Sequence, residues 1–216
     1  MKTRVLDISV PEHEYRITDP GGRIGRQLAA GKPYEHRLLA GIRKRRLAGS
    51  ALDIGAHVGN HSLYLAIVCE LRVHAFEAHP ARVRALRTNL GLNDLGDDRV
   101  RIYPMAAGAG SAEAHWREDE QRMTLEVGRG NVEVRAVDEL LDLDDLVLVK
   151  LDVEGMEPAA LVGMRRHLAR CHPLVVTETH TRAAHDAQAA VLEPLGYEMG
   201  KPVKMGSRME VWEWSG

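Results

Sequence analysis

The sequence predicts an α/β fold, a doubly wound and mostly parallel sheet whose last strand is antiparallel. Three observations predict it. From residue 51 onward, short apolar runs bounded by turn residues alternate with stretches of helical periodicity, as when parallel strands are joined by crossover helices. The run Leu146–Leu151 is apolar on both faces, as expected of a central parallel strand. The stretch ALDIGAHVGNHS, residues 51–62, reads as a strand, a glycine-punctuated turn and a helix N-terminus. Together these make a nucleotide-sized pocket at the carboxyl edge of a parallel sheet.

Residues 1–48 precede this core as an extension of strands and helices. Val5–Val10 alternates and reads as a strand, with Glu14–Thr18 as its hairpin partner. Pro20-Gly21-Gly22 marks a turn, and Arg23–Ala30 reads as a helix stopped by Gly31. Tyr34–Leu47 places Leu38, Leu39 and Ile42 on one helical face and ends in the cationic run Arg43-Lys44-Arg45-Arg46. Such a run ordinarily marks a solvated helix terminus, where cations meet the negative end of the dipole.

The core, residues 49–216, begins with the strand at Ala51 and a helix from His61 through Cys69. The strand Leu71–Phe76 ends at Glu77, and Pro80 opens a helix lined by Val83, Leu86 and Leu90. Val100–Met105 is the third strand. Between 106 and 138 the pattern shortens to Ala112–Trp116, Met123–Val127 and Val132–Val137, read as a small β insertion. After Leu146–Leu151 come a helix from Glu157 to Ala169, a strand Leu174–Thr177 and a helix Ala183–Leu195 stopped by Gly196. Tyr197–Val203 and Met209–Trp214, joined across Gly206, read as a closing antiparallel hairpin.

Composition narrows the function classes. A net charge of −2 and 28% charged residues give no electrostatic footprint for nucleic acid. The two cysteines, Cys69 and Cys171, lack CxxC spacing and read as reduced thiols. No run has signal-peptide or membrane-spanning length, so the expectation is a soluble, cytoplasmic protein away from membranes. Trp212 and Trp214 on the closing hairpin suggest a homodimer contact.

The ligand chemistry follows from the strand ends. A nicotinamide dinucleotide wants G-x-G-x-x-G for its pyrophosphate. Here His57 holds the middle position, and Asp53 would repel a pyrophosphate. A phosphate-free ligand with a cationic centre, S-adenosylmethionine, suits that acid. Glu77, at the end of the neighbouring strand, can accept ribose hydroxyls or cap the helix at Pro80. Asp152 and Glu154 follow a wholly apolar strand, where two carboxylates need a cation or a proton. One of them, or Glu178 and His180 at the next strand end, can act as general base toward a hydroxyl. Asp152, Glu178 and His180 also suit a divalent cation such as magnesium.

Assembled, these residues resemble the FkbM family of S-adenosylmethionine-dependent methyltransferases. The carriers are Tyr34-Glu35, LDIGAHVGNHS at 52–62, AFEAHP at 75–80 and VKLDVEGMEPAAL at 149–161. The chain departs from the family in His57, typically Asn, and Ala78, commonly Pro. The resemblance implies a class I, Rossmann-like methyltransferase fold of seven strands, the last inserted antiparallel beside the fifth. It implies Asp53, Gly55 and Gly59 around the methionine moiety and Glu77 on the ribose. It further implies Tyr34, Glu35, His57, Asn60, His61, Ser62, Ala78, Ala106 and Asp152 as cofactor-binding residues, with Asp152 and Glu154 facing the methyl. Members are mostly O-methyltransferases acting on hydroxyls of natural products or saccharides. The competing readings are RNA methylation, a catalytically silent cofactor-binding module and, against the evidence of His57 and Asp53, a nicotinamide oxidoreductase.

Overall fold

The chain opens on a hairpin in which β1 (Val5–Val10) pairs antiparallel with β2 (His13–Thr18). Alternation puts Leu6, Ile8, Tyr15 and Ile17 inside. The structure, a computed structural model, describes residues 4–118, 123–153, 155–200, 203–204 and 208–216. Its contacts group into two compact units, Met1–Pro104 and Met105–Gly216.

In the first unit, α1 (Gly22–Leu28) and α2 (His36–Lys44) follow the hairpin. The second helix is shorter than its periodicity predicts. Glu35 takes the left-handed conformation, φ 56°, so Tyr34 and Glu35 lie outside the helix, which buries Leu38, Leu39 and Ile42. Next come β3 (Ser50–Ile54), buried at every residue, and α3 (Asn60–Ile67), buried from Asn60 to Ala66. β4 (Arg72–Phe76) runs parallel between β3 and β5 (Val100–Tyr103). α4 (Pro80–Leu92) is capped by His79, whose Nδ1 accepts the Ala81 N–H at 3.2 Å. Asn89 of α4 and Asn93 just after it take the place of a further strand for β2. Asn89 Oδ1 accepts from Thr18 N, and Asn93 bonds both the N–H and the carbonyl of Arg16.

The second unit begins with a four-stranded sheet ordered β6 (Ala106–Ala107), β9 (Val132–Arg135), β7 (Ala112–Glu118), β8 (Met123–Val127). This is the predicted β insertion, except that its last segment divides: Val137 starts the short helix α5 (Val137–Leu140). β10 (Leu146–Leu151) pairs parallel with β11 (Leu174–Thr179), which runs on past the predicted end to include Glu178.

The helix expected over 157–169 is two helices, α6 (Glu157–Val162) and α7 (Arg165–Cys171). The break has a tertiary cause. A Cβ on Gly163 would lie 1.9 Å from the Gly108 carbonyl oxygen, so the chain crosses another backbone there. Asp138 then caps α7 by accepting from Arg166 N at 2.8 Å.

α8 (Arg182–Leu192) is capped by Thr181 and passes through a 3-10 turn to Gly196, φ 87°. β14 (Arg208–Trp214) lies antiparallel between β11 and β12 (Tyr197–Met199), and also pairs with β13 (Val203–Lys204). The antiparallel last strand is therefore inserted beside β11. Gly206, the expected hairpin tip, lies outside the described residues. Trp212 is 1% exposed and belongs to the core, so it offers no surface for a dimer. Trp214 is exposed and stacks on His172 at 3.9 Å. Among the described residues, no helix is long and apolar enough to cross a membrane.

Candidate functional site

The turn after β3 is held open by main-chain bonds and by packing. Gly55 and Ala56 both donate to the Phe76 carbonyl, at 2.9 and 3.0 Å. Gly59 sits at φ 94°, and a Cβ there would meet Leu86 Cδ1 of α4 at 2.5 Å. His57 is left-handed, φ 53°. Asn and His tolerate that region better than most side chains, which accounts for His at a position where Asn is typical.

Glu77, directly after β4 and 4% exposed, closes the turn. Its Oε2 accepts from His57 N at 2.8 Å and its Oε1 from His79 N at 2.7 Å. The carboxylate thus ties the glycine turn to the N-cap of α4, with half-buried Ala78 between. Asp53 is the fourth residue of β3 rather than part of the turn. It has no exposure, and its Oδ2 accepts from Ser62 Oγ, in the first turn of α3, at 2.6 Å.

Tyr34 and Glu35 join the same helix terminus across 26 residues of sequence. Tyr34 N donates to Asn60 Oδ1 at 3.0 Å, and Asn60 Nδ2 donates to Tyr34 O at 3.1 Å. Beside them His61 Nε2 lies 3.2 Å from Glu35 Oε2, both side chains more than nine-tenths buried. Arg23 donates to the Tyr34 hydroxyl, with its guanidinium over the ring. The structure therefore gathers Tyr34, Glu35, Asp53, His57, Asn60, His61, Ser62 and Glu77 around one turn and one helix N-terminus.

In the second unit Ala106 is buried in β6. Asp152 follows β10, with Lys150 Nζ 3.9 Å from its Oδ2. That lysine, 2% exposed, is the cation the carboxylate needs. Its signal was a lone basic residue in an apolar strand. Glu154 lies outside the described residues.

Glu157, part of the stretch 149–161 that carries the resemblance, was assigned no role from the sequence. Buried in the first turn of α6, it accepts from Val153 N at 2.9 Å and Gly155 N at 3.0 Å, clamping the loop after β10. Burial raises its pKa above the usual carboxylate range, against the lowering effect of those two bonds. At the end of β11, His180 Nε2 lies 2.9 Å from Glu178 Oε2.

The magnesium expectation finds no support in this geometry. Among the described residues, no three His, Cys, Asp or Glu side chains are placed to hold a metal ion. Asp152 faces Lys150, and Glu178 faces His180.

Comparisons with known proteins agree with the fold. Among solved structures the chain is similar to a methyltransferase FkbM from Methylobacillus flagellatus KT, with TM-score 0.58 and 20% identity over 76% of this chain. It spans 43% of that protein's length. It is similar to a precorrin-6y C5,15-methyltransferase from Geobacter metallireducens GS-15, with TM-score 0.52, 17% identity, and 84% and 88% of the two chains covered. It is also similar to the Pyrococcus abyssi tRNA (uracil-54, C5)-methyltransferase in complex with S-adenosyl-L-homocysteine. There the TM-score is 0.53 and the identity 14%, over 97% of this chain and 43% of that one. At these identities the likeness is one of fold. No curated protein matches the chain in sequence. The family description "Methyltransferase FkbM domain" matches residues 53–199, from the buried acid of β3 to the end of β12, and with that span the chain belongs to the FkbM methyltransferase family.

Proposed function

We propose that the chain is an O-methyltransferase acting on a hydroxyl of a small molecule, a natural product or a saccharide. The observation that carries the reading is the Glu178–His180 pair at the carboxyl end of β11. A hydroxyl is a poor nucleophile until a base takes its proton. A carboxylate on one ring nitrogen fixes the imidazole's tautomer and leaves the other nitrogen basic.

The residues of the first unit fit S-adenosylmethionine. Gly55 and Gly59 keep side chains out of the turn, and the acids around it suit a sulfonium rather than a pyrophosphate. Each oxygen of Glu77 accepts one main-chain N–H and retains capacity for a ribose hydroxyl. When bound, the cofactor supplies a methyl group on a positively charged sulfur. Asp53, Gly55, His57 and Gly59 would hold its methionine part, while Tyr34, Glu35, Asn60 and His61 brace the helix terminus.

In the second unit, His180, oriented by Glu178, takes the acceptor's proton. Asp152, balanced by Lys150, and Glu154 orient the hydroxyl. The test is calorimetric titration with S-adenosylhomocysteine, with NAD as control, then methyl transfer across a panel of hydroxyl acceptors. Binding of S-adenosylhomocysteine alone, followed by O-methylated product, supports the proposal. Absence of that binding sinks it, and binding without transfer to any acceptor marks a silent cofactor-binding module.

A further inference from the structure

The first unit contains a cleft of about 890 Å³, within the roughly 300–1,000 Å³ of small-molecule sites. Its Val68–Leu71 end lies away from the glycine turn, while its lining residues Pro33 and His36 flank the Tyr34-Glu35 pair in sequence. That turn precedes the first residue of α3, whereas Val68 and Cys69 of the cleft follow the last. Eight helical residues at 1.5 Å each separate the two by about 12 Å.

The cleft has two chemistries. Its accessible apolar wall is Val10, Pro11, Ala40 and Leu47, over the buried Ile42 of α2 and the buried Val68 and Leu71 after α3. One stripe of α2, His36, Ala40 and Lys44, forms its side at four-residue spacing. Around this wall stand Lys32, Arg43, Lys44 and Arg46, against a single acid, Glu70. Arg43 is engaged by Glu12 at 3.0 Å and by the Pro11 carbonyl at 3.2 Å. Lys32, Lys44 and Arg46 make no ion pair among the described residues. Burial holds the Cys69 thiol neutral, its pKa pushed up to about 11, so the floor adds no anion of its own.

Helix-end cations are ordinarily explained by the dipole and the solvent. That leaves unexplained why they ring an apolar cleft. We propose that this cleft binds a small amphipathic anion, its apolar body against Val10, Pro11, Ala40 and Leu47 and its carboxylate or phosphate among Lys32, Lys44 and Arg46.

The test is calorimetric titration of the full chain with octyl phosphate, octanol, octyltrimethylammonium and inorganic phosphate, all below micellar concentration. Octyl phosphate should bind about tenfold or more tightly than octanol, and added salt should weaken it. The ammonium and inorganic phosphate should give no heat. Lys44→Glu with Arg46→Glu should weaken octyl phosphate about tenfold or more. Ala40→Trp, at an exposed position beside the cleft, should abolish it while S-adenosylhomocysteine binding and thermal midpoint stay unchanged. Equal affinity for the three amphiphiles, or undiminished binding to Ala40→Trp, overturns the proposal. So does binding to anionic phospholipid vesicles with none to monomeric octyl phosphate.

Discussion

The amide of Asn60 clasps the main chain of Tyr34 at both ends, accepting its N–H at 3.0 Å and donating to its carbonyl at 3.1 Å. The two residues are 26 apart in sequence, and the clasp is what seats the Tyr34-Glu35 pair on the first turn of α3. Asn60→Asp keeps the acceptor but sets a carboxylate against the Tyr34 carbonyl. It should lower stability by about 1–3 kcal/mol, the cost of an unmet buried group, and weaken S-adenosylhomocysteine binding through Glu35. Thermal melts and titration of the variant check both effects. An unchanged melt would mean the clasp contributes little.

Glu77 makes a sharper case, because its carboxylate serves the fold before any ligand arrives. Glu77→Ala removes the acceptor for His57 N and His79 N together. The expected loss is about 2 kcal/mol in the absence of cofactor, seen as a lower midpoint in urea. Glu77→Gln retains one acceptor oxygen and should lose less stability, while its binding of S-adenosylhomocysteine falls by about tenfold. A ligand-only role for Glu77 would leave the midpoint of the apo protein unmoved.

Much of this was legible in the sequence, and for a physical reason. Strands and helices of the core announce themselves by period, and the turn at 55–59 by glycines that packing against Leu86 and the positive φ require. Site residues close in sequence, such as Asp53 and Ser62 or Glu178 and His180, could be read as groups. The rest depended on long-range approach. The break at Gly163 exists because the Gly108 backbone passes there, which no local propensity encodes. The partners of Glu77 are main-chain N–H groups, and main chain carries no sequence signal. Lys150 was passed over in a strand read as wholly apolar, and its place 3.9 Å from Asp152 comes from the fold.

Glu157 links the loop after β10 to pH. Burial raises its folded pKa above the usual 4.5. The stability it contributes is therefore complete below the unfolded value and is lost as pH rises through the folded one. Charge effects common to both proteins cancel when wild type is compared with Glu157→Gln. The stability of wild type minus that of Glu157→Gln should decline as pH rises above the usual carboxylate range. Paired urea titrations at several pH values check the slope; a difference that grows with pH would show the bonds to Val153 and Gly155 outweighing burial.

The Glu178–His180 pair at 2.9 Å yields the prediction that bears most directly on mechanism. If His180 takes the acceptor's proton, His180→Asn should lower kcat by about 10²–10⁴-fold and leave S-adenosylhomocysteine affinity unchanged. Glu178→Gln leaves the base in place but loosens its tautomer and orientation, so its loss should be smaller. The double variant then discriminates. Two residues acting as one unit lose their effect together, so the double should be about as slow as His180→Asn alone, not slower by the product of both. Multiplicative losses would instead assign Glu178 a role independent of His180, and an undiminished kcat in His180→Asn would pass the base's role to Asp152 or Glu154.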